Sequence, residues 1–351
     1  MNWSTLSWCA SDNPKGEELL QLGRFPRVRL GHLPTPLEPM TRLSDRLGGP
    51  RLWIKRDDCT GLATGGNKTR KLEYLVADAL KQGADTLITL GALQSNHARQ
   101  TAAAAAKAGL KCVLVLEERV SQPTEAYRHN GNILLDRLLG ATLNYVPRDT
   151  PMADAGARAA EEVRRSGGKP YLIPAGGSNA IGALGYVGCA VEMIQQAADL
   201  GLRIDRVVHA TGSSGTQAGL VAGFDGVRSG VRVLGITVGR PRAVQEKNVA
   251  DLLDETWAHL GLKGAAPRDN IEVNDQYFGE AYGVPTSAMK EAVQLVAETE
   301  SLLLDPVYSG KAMSGLIDLV RKGAFGKDEN IVFVHTGGQA GLFAYEPAFA
   351  A

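Results

Sequence analysis

A lysine follows a glycine-rich turn in the segment GLATGGNKTRKLE, Gly61–Glu73. A glycine pair precedes Asn67 and Lys68, and apolar residues at helical spacing then predict a helix over Lys71–Gln82. At a helix N-terminus, partial burial and the local positive potential lower the pKa of a lysine and leave its amine nucleophilic. The alternative is an ordinary exposed lysine at a helix start. Asn67 separates the glycines from Lys68, so the adjacent Gly-Lys of a nucleotide-binding P-loop is missing.

The segment ATGSSGTQAG joins a predicted strand to a helix of small residues. Free backbone N–H groups and hydroxyls at such a helix start form a cradle suited to a phosphate group. The alternative is a tight turn that packs the helix on the sheet. The spacing of its glycines is not GxGxxG, so a dinucleotide fingerprint is not supported. The candidate cradle residues are Thr211, Gly212, Ser213, Ser214, Gly215 and Thr216.

A third polar turn, QSNH, follows another predicted strand and contains Gln94, Ser95, Asn96 and His97. Amide and hydroxyl groups at a helix start can bind a carboxylate or a ring hydroxyl, and they can equally cap the helix. The six histidines of the chain form no HExxH pair, so we expect no metal site.

Three more hydroxyl side chains stand in glycine-bearing contexts: Tyr282 in EAYGVP, Tyr308 in DPVYSGKAMSG and Thr336 in HTGGQAG. A tyrosine over a cofactor can stack and move a proton. The hydroxyl of Thr336 could contact a ring nitrogen. The structural alternatives are core or interface tyrosines and a threonine that caps the following turn.

Short apolar runs alternate with helical segments along the chain, which predicts an α/β fold with parallel sheets. In such sheets, ligands bind at the carboxyl ends of the strands, where these polar turns lie. The segment 240–270 is rich in Pro, Gly and charge and is expected to be a surface excursion. The predicted strands are Arg51–Lys55, Thr86–Leu90, Lys111–Leu116, Lys169–Ile173, Arg206–His209, Val231–Val238 and Asn330–His335.

Composition excludes several classes of function. The 351 residues contain 38 Lys and Arg against 38 Asp and Glu, and this balance argues against nucleic acid or an anionic membrane as the main partner. The N-terminus lacks the pattern of a signal peptide, and the uncharged stretches are interrupted by polar residues that lipid would not tolerate. The four cysteines lack metal-ligand spacing and suit free thiols. We expect a soluble, cytoplasmic protein.

Taken together, the motifs from about Phe25 to Tyr345 resemble the family of D-cysteine desulfhydrases and 1-aminocyclopropane-1-carboxylate (ACC) deaminases. These are pyridoxal-phosphate (PLP) enzymes of the tryptophan-synthase-β type. The motifs that carry the resemblance, in order, are LPTPLE, KRDD, GGNKTRKLE, QSNHARQTAA, GGSNAIGALGYV, ATGSSGTQAG, AYGVP, LLLDPVYSGKAMSGL and HTGG.

The resemblance implies a role for each candidate residue. Lys68 matches the lysine that binds PLP covalently and moves the Cα proton. Asn96 matches the residue beside the phenolate oxygen of PLP, and Ser95, with Gln94 and His97, matches the turn that holds the substrate carboxylate. The segment Thr211–Thr216 matches the phosphate cradle. Tyr282 and Tyr308 match the two active-site tyrosines, and Thr336 matches the position near the pyridine nitrogen.

Two departures from ACC deaminases bear on the reaction. Those enzymes carry Glu after the second tyrosine and Leu in the HTGG context, where this sequence has Ser309 and Thr336. A neutral hydroxyl at the ring nitrogen favours elimination of a leaving group from Cβ, since the protein tunes PLP through the partner of that nitrogen. The resemblance therefore implies a carbon–sulfur lyase rather than an enzyme that opens a cyclopropane ring.

The leaving group is set by smaller differences. Thr64 and Thr69 flank Lys68, and their segment is similar to that of L-cysteate sulfo-lyases. A sulfonate has three acceptor oxygens, which such hydroxyls could bind. We therefore favour β-elimination of L-cysteate to pyruvate, ammonia and sulfite, with D-cysteine desulfhydrase as the alternative. The structural alternative is that both threonines only cap the turn.

The resemblance also implies PLP fold type II: two open, twisted, mostly parallel-sheet domains with the cofactor between them. The large domain would comprise residues 1–70 and 183–351, and the small αβα domain residues 71–182. A homodimer is implied as well. The rival functions are a P-loop phosphotransferase and a non-catalytic module that binds an amino acid or PLP.

Overall fold

The computed structural model describes residues 20–121 and 123–350. Residues 1–19, with Cys9 and the segment that bears on the signal peptide, lie outside the described residues.

Ten strands form two sheets in the described chain. The larger sheet has six strands in the order β1-β2-β10-β7-β8-β9, all parallel except β1, which is antiparallel to β2. The smaller sheet has four parallel strands in the order β5-β4-β3-β6. The strands are β1 Leu37–Pro39, β2 Arg51–Lys55, β3 Thr86–Ala92, β4 Lys111–Glu117, β5 Thr142–Val146, β6 Pro170–Ile173, β7 Arg206–Thr211, β8 Arg232–Thr237, β9 Ile271–Asn274 and β10 Asn330–Val334.

Helices connect the parallel strands. They are α1 Thr41–Leu47, α2 Lys68–Lys81, α3 Asn96–Ala108, α4 Glu125–His129, α5 Asn132–Leu138, α6 Met152–Arg165, α7 Ala180–Leu200, α8 Gly215–Gly226, α9 Arg242–His259, α10 Ser287–Glu300, α11 Ser309–Arg321 and α12 Ala340–Ala344. The prediction of an α/β fold with two mostly parallel sheets is confirmed.

Burial explains why the apolar runs become strands. All five residues of β10 are buried between β2 and β7, and all seven of β3 are buried in the smaller sheet. A strand that is covered by helices on both faces has a continuous run of apolar residues in its sequence. The larger sheet draws its strands from residues 37–55 and 206–334, and the smaller sheet from residues 86–173. Domain boundaries at residues 70 and 183 are compatible with this division and stay a prediction.

The segment 240–270 is not the surface excursion that the sequence predicted. Most of it is the helix α9, which begins after Pro241 and buries Val249, Leu252 and Leu253 in the core of the larger sheet. The helical spacing of these apolar residues outweighs the many charges, which lie on the outer face of the helix.

Helix α2, which begins at Lys68, is held from behind by a buried ionic network. The guanidinium of Arg70 donates to both oxygens of Asp57 at 2.8 Å and to Glu192 of α7 at 2.8 and 2.9 Å. A Cβ on Gly185 of α7 would lie 2.4 Å from the backbone of Arg70, so this glycine permits the close approach of the two helices. Breaking such a buried network is costly, because removing one member leaves an uncompensated charge. The network therefore holds the start of α2 in place.

Within residues 20–121 and 123–350, no helix combines the length and the apolar character needed to cross a membrane.

Candidate active site

One cavity of about 200 Å³ opens at the carboxyl ends of the parallel strands and brings together most of the predicted site residues. Those that line it are Lys68, Ser95, Asn96, His97, Thr211, Gly212, Ser213, Ser214, Thr216, Tyr282, Tyr308 and Thr336. Gly215 lies behind this surface, and Gln94, Thr64 and Thr69 do not line the cavity.

Lys68 is the first residue of α2 and is partly buried. Its Nζ donates to Asn67 Oδ1 at 3.1 Å. Burial lowers the pKa of Lys68 to about 8, against the negative charge of Asp305. The preceding Gly65 has φ +72°, and a Cβ there would lie 2.1 Å from the carbonyl oxygen of Asp58. The glycine turn is therefore required for the lysine to reach the cavity with a nucleophilic amine.

The loop between β7 and α8 forms the predicted cradle. Ser214 adopts φ +72°, and helix α8 begins at the next residue. The first turn of a helix carries N–H groups without intrahelical partners and a positive potential, both of which suit a phosphate. Asn67 Nδ2 donates to Thr216 Oγ1 at 3.1 Å and so links the cradle to the lysine.

Lys71 completes the cradle, and the sequence analysis did not identify it. Its side chain is fully buried, and Nζ donates only to neutral acceptors, Gly176 O at 3.1 Å and Ser178 Oγ at 3.2 Å. A Cβ on Gly215 would lie 2.9 Å from Lys71 Nζ, so the glycine leaves room for this amine next to the start of α8. Burial lowers the pKa of Lys71 well below its usual range, and a bound phosphate would favour the charged form. A buried lysine beside free N–H groups, with no carboxylate bonded to it, is a site that fits the phosphate of PLP. Lys71 could have been found from its position three residues after Lys68, because residues one helical turn apart lie on the same face of α2.

The QSNH turn places three side chains against the cavity. Ser95 caps α3 by accepting from Ala98 N at 3.2 Å, so the capping alternative holds for a residue that also lines the cavity. Asn96 Nδ2 donates to Asp305 Oδ2 at 3.3 Å. His97 Nε2 lies 2.7 Å from Thr89 Oγ1, and burial lowers the pKa of His97 well below its usual range. His97 is therefore neutral at physiological pH.

Gln94 has a structural role. Its Nε2 donates to the carbonyls of Tyr127 and Asn130 at 2.6 and 3.0 Å, and its Oε1 accepts from Asn132 N at 2.9 Å. These bonds use the whole amide to fix the segment between α4 and α5. Gln94 does not line the cavity, and its contact with the substrate carboxylate stays a prediction.

Thr64 and Thr69 also lie away from the cavity. Thr64 Oγ1 accepts from Arg99 Nη1 at 2.9 Å. Thr69 is fully buried, and its hydroxyl donates to Gln100 Oε1 at 3.1 Å and accepts from Thr60 at 3.3 Å. The donor of Thr69 is taken by Gln100, Thr64 accepts from an arginine of α3, and neither residue lines the cavity. Their recognition of the leaving group stays a prediction that these positions do not support.

Tyr282 and Tyr308 form a pair. Their hydroxyl oxygens lie 2.6 Å apart, and their rings meet edge to face with centroids 5.8 Å apart. Burial raises the pKa of Tyr308 to about 12 and raises that of Tyr282 well above its usual value. Lys311 of α11 donates to the carbonyls of Phe278 and Ala281 at 2.6 and 3.0 Å and so ties the loop that carries Tyr282 to the helix that follows Tyr308.

Thr336 follows β10 and is buried. Its carbonyl accepts from Asn67 N at 3.0 Å, whereas its hydroxyl has no hydrogen-bond partner in the described chain. Ser309, the other departure from ACC deaminases, donates to Asp305 Oδ1 at 2.8 Å and is buried beneath the cavity.

Two of the cavity residues that were not identified from the sequence are charged, Arg119 after β4 and Arg240 after β8. Arg240 Nη1 donates to Gly212 O at 2.6 Å. The residues that line the cavity include no carboxylate, so its charged side chains are all basic. No cluster of His, Cys, Asp and Glu in the described chain could hold a metal ion.

Comparisons with known proteins agree with this arrangement. Residues 28–337 match the family described as pyridoxal-phosphate dependent enzyme. The chain is 49% identical over 329 residues to a D-cysteine desulfhydrase of Salmonella choleraesuis (strain SC-B67), covering 94% of this chain and 99% of the relative. A D-cysteine desulfhydrase of Salmonella typhi is 48% identical over the same shares of the two chains.

Solved structures give the same result. The crystal structure of an ACC deaminase homologue superposes with a TM-score of 0.84 at 41% identity, over 93% of this chain and 96% of the other. The processed form of threonine deaminase isoform 2 from Solanum lycopersicum has a TM-score of 0.61 at 19% identity over 87% and 79%, which shows a shared fold alone. With these matches over nearly its whole length, the chain belongs to the D-cysteine desulfhydrase and ACC deaminase family of PLP-dependent enzymes and is a PLP-dependent lyase.

Proposed function

We propose that this enzyme catalyses β-elimination from D-cysteine, releasing pyruvate, ammonia and sulfide. The observation that carries the proposal is the low-pKa amine of Lys68 in one cavity with a phosphate cradle and a tyrosine pair. The 49% identity to a D-cysteine desulfhydrase supports this substrate. The threonines that favoured L-cysteate bind Arg99 and Gln100 instead.

PLP, bound covalently to Lys68, would supply an electron sink for the negative charge that develops at Cα. The start of α8 and the ammonium of Lys71 would hold its phosphate. Asn96 would lie beside its phenolate oxygen and Thr336 near its pyridine nitrogen. Each of these residues lines the cavity or lies directly behind its surface.

Lys68 would move the proton at Cα. An amine with a pKa of about 8 exchanges protons near neutral pH far more readily than an exposed lysine. Ser95 and the N-terminus of α3 would hold the substrate carboxylate, because the first helical turn favours an anion.

The tyrosine pair would deliver a proton to the departing sulfur. Burial raises the pKa of both phenols, so both keep their protons at neutral pH, and their hydroxyls share a hydrogen bond of 2.6 Å. We assign Tyr308 as the acid, with Tyr282 as its hydrogen-bond partner.

L-Cysteate is the second candidate substrate. The cavity wall contains Lys68, Arg119 and Arg240 and no carboxylate, which favours a substrate with an additional negative charge.

The proposal extends to the setting of the enzyme, a homodimer in the cytoplasm. Cys112 and Cys189 are free and buried, as suits a reducing compartment. Leu134, Leu138 and Tyr145 are exposed apolar residues that a partner subunit could cover. Light scattering during gel filtration tests the dimer, and a mass of one chain would contradict it.

An assay of the holoenzyme with D-cysteine, measuring pyruvate and sulfide in the same tube, tests the proposed reaction. We expect one pyruvate for each sulfide. L-Cysteate in a parallel tube, with sulfite measured, tests the second candidate. An enzyme that releases pyruvate from neither substrate would overturn the proposed function.

A further inference from the structure

The geometry points to Arg119 as a residue that selects substrates whose sulfur group on Cβ is an anion, a sulfonate. This inference rests on the proposed β-elimination and adds a substrate class to it.

Arg119 lies where the side chain of a substrate would extend. It follows β4, at the carboxyl edge of the smaller sheet, and lines the same cavity as Lys68 and the tyrosine pair. Its guanidinium carbon lies 5.6 Å from the centroid of the Tyr282 ring, so it adjoins the proposed proton donors. The side chain is 40% exposed, which places it at the mouth of the cavity.

Two contacts fix the direction of the guanidinium. Its Nε donates to Glu117, which is itself held by the backbone N–H of Asp149 at 3.2 Å. The ring of Tyr282 supports one face of the group. The two terminal nitrogens, Nη1 and Nη2, have no hydrogen-bond partner among residues 20–121 and 123–350. The guanidinium, which lines the cavity, therefore keeps two terminal nitrogens free to donate, an arrangement that suits two oxygens of one anion.

The other anionic groups have partners elsewhere. The phosphate of PLP would take the start of α8 and Lys71, and the substrate carboxylate would take the Ser95 turn at the start of α3. Arg240 also lines the cavity, and one of its terminal nitrogens donates to the carbonyl of Gly212 at the cradle. Arg119 is left without an anion to bind when the substrate side chain is a neutral thiol.

A sulfonate on Cβ supplies the missing acceptors. It carries a full negative charge and three oxygens at neutral pH, and two of them match the Nη donors. Elimination breaks the Cβ–S bond, the sulfur keeps the electron pair, and sulfite leaves as the Cα proton is removed.

The test compares Arg119→Gln and Arg119→Lys with the wild-type holoenzyme. Both enantiomers of cysteine and cysteate are used, so that charge and chirality are separated. We expect the ratio of kcat/KM for cysteate to that for cysteine to fall about tenfold or more in R119Q, mainly through KM, and less in R119K. Arg164→Gln, an exposed arginine of α6, is the matched control and should leave the ratio unchanged.

A second measurement does not depend on turnover. Methanesulfonate has the sulfonate without the amine or the carboxylate, and it should raise the Tm of the wild-type holoenzyme more than that of R119Q. Circular dichroism would establish that R119Q is folded.

Three results would overturn the inference: no sulfite from either enantiomer of cysteate, equal losses for cysteine and cysteate in R119Q, or the same Tm shift in both proteins. Equal losses would mean that Arg119 binds a group common to both substrates. In each of these cases, continued release of sulfide from cysteine would leave the proposed function intact.

Discussion

The hydroxyl of Thr336 is a neutral group without a hydrogen-bond partner in the described chain, at the position expected near the pyridine nitrogen. Thr336→Glu would place a carboxylate there and keep the nitrogen protonated, which changes how strongly PLP withdraws electrons. We expect carbon–sulfur elimination to fall about tenfold or more. Pyruvate release from cysteine measures the effect.

Thr336→Ser is the control, since it keeps a hydroxyl at the same place and should retain most of the activity. Unchanged elimination in T336E would contradict the role of this residue.

The tyrosine pair leads to a second prediction at this scale. Tyr308→Phe should lower kcat by about a hundredfold, because it removes the phenol that we assign as the acid. Tyr282→Phe should cost less, because it removes only the partner at 2.6 Å. Tyr171→Phe, whose hydroxyl bonds Asp78 away from the cavity, is the control. A larger loss of kcat in Y282F than in Y308F would reverse the assignment.

The chemical type of a residue and its place at a helix start predicted which side chains form the site. Being next to a site residue in the sequence did not predict that a side chain enters the cavity. Lys68 and Ser95 lie at the starts of helices α2 and α3, and in a parallel α/β fold helix starts face the ligand site. Thr64 and Gln94 are sequence neighbours of site residues, yet their side chains leave on the other side of the backbone. Arg119 could not be predicted as a site residue from the sequence, because a single arginine after a strand is usually a solvated surface residue.

At the scale of elements, the start of α8 allows a direct test of the cradle. A Cβ on Gly215 would lie 2.7 Å from Ser178 Oγ and 2.9 Å from Lys71 Nζ. Gly215→Ala should therefore displace the buried amine and weaken PLP binding about tenfold or more. Titration of the apoenzyme with PLP measures this affinity.

Gly188→Ala in α7 is the matched control, because the nearest atom to its Cβ is a methyl carbon of Leu22 at 3.7 Å. Equal PLP affinity in G215A and G188A would show that the cradle does not need this space.

Elements with strong apolar patterns were the most predictable. The strand Arg51–Lys55 has the predicted bounds, and Thr86–Leu90 is extended by two residues to Ala92. The edge strands β1, β5 and β9 were not predicted, since β1 has only three residues and the half-exposed residues of β5 and β9 alternate weakly. Helix α9 was missed because its charges masked a narrow apolar stripe.

At the scale of the whole molecule, Asp136 gives the stability a pH dependence. Both of its carboxylate oxygens are buried without hydrogen-bond partners in the described residues. Burial raises the pKa of Asp136 from 3.8 to about 8, against the charge of Arg99. Between those two pH values, Asp136 therefore holds more protons in the folded protein than in the unfolded chain. The stability that comes from this protonated carboxyl is present below about pH 4 and is lost as pH rises to about 8.

Asp136→Asn removes this titration. Relative to wild type, its free energy of unfolding should increase as pH rises from about 4, by about 1 kcal/mol or more at pH 8. Urea denaturation at several pH values measures the difference, and groups common to both proteins cancel in it. Asp154→Asn, at an exposed position of α6, should show no such trend. A pH-independent difference for D136N would contradict the raised pKa.

The central claim is that Lys68 alone holds the cofactor and works as the amine of the active site. Three other lysines, Lys55, Lys71 and Lys311, are fully buried in this molecule. Borohydride reduction of the holoenzyme fixes PLP to the amine that carries it, and peptide mass spectrometry then identifies that residue. We expect the reduced group on Lys68 and on no other lysine. Finding it on Lys71 or Lys311 would contradict the assignment.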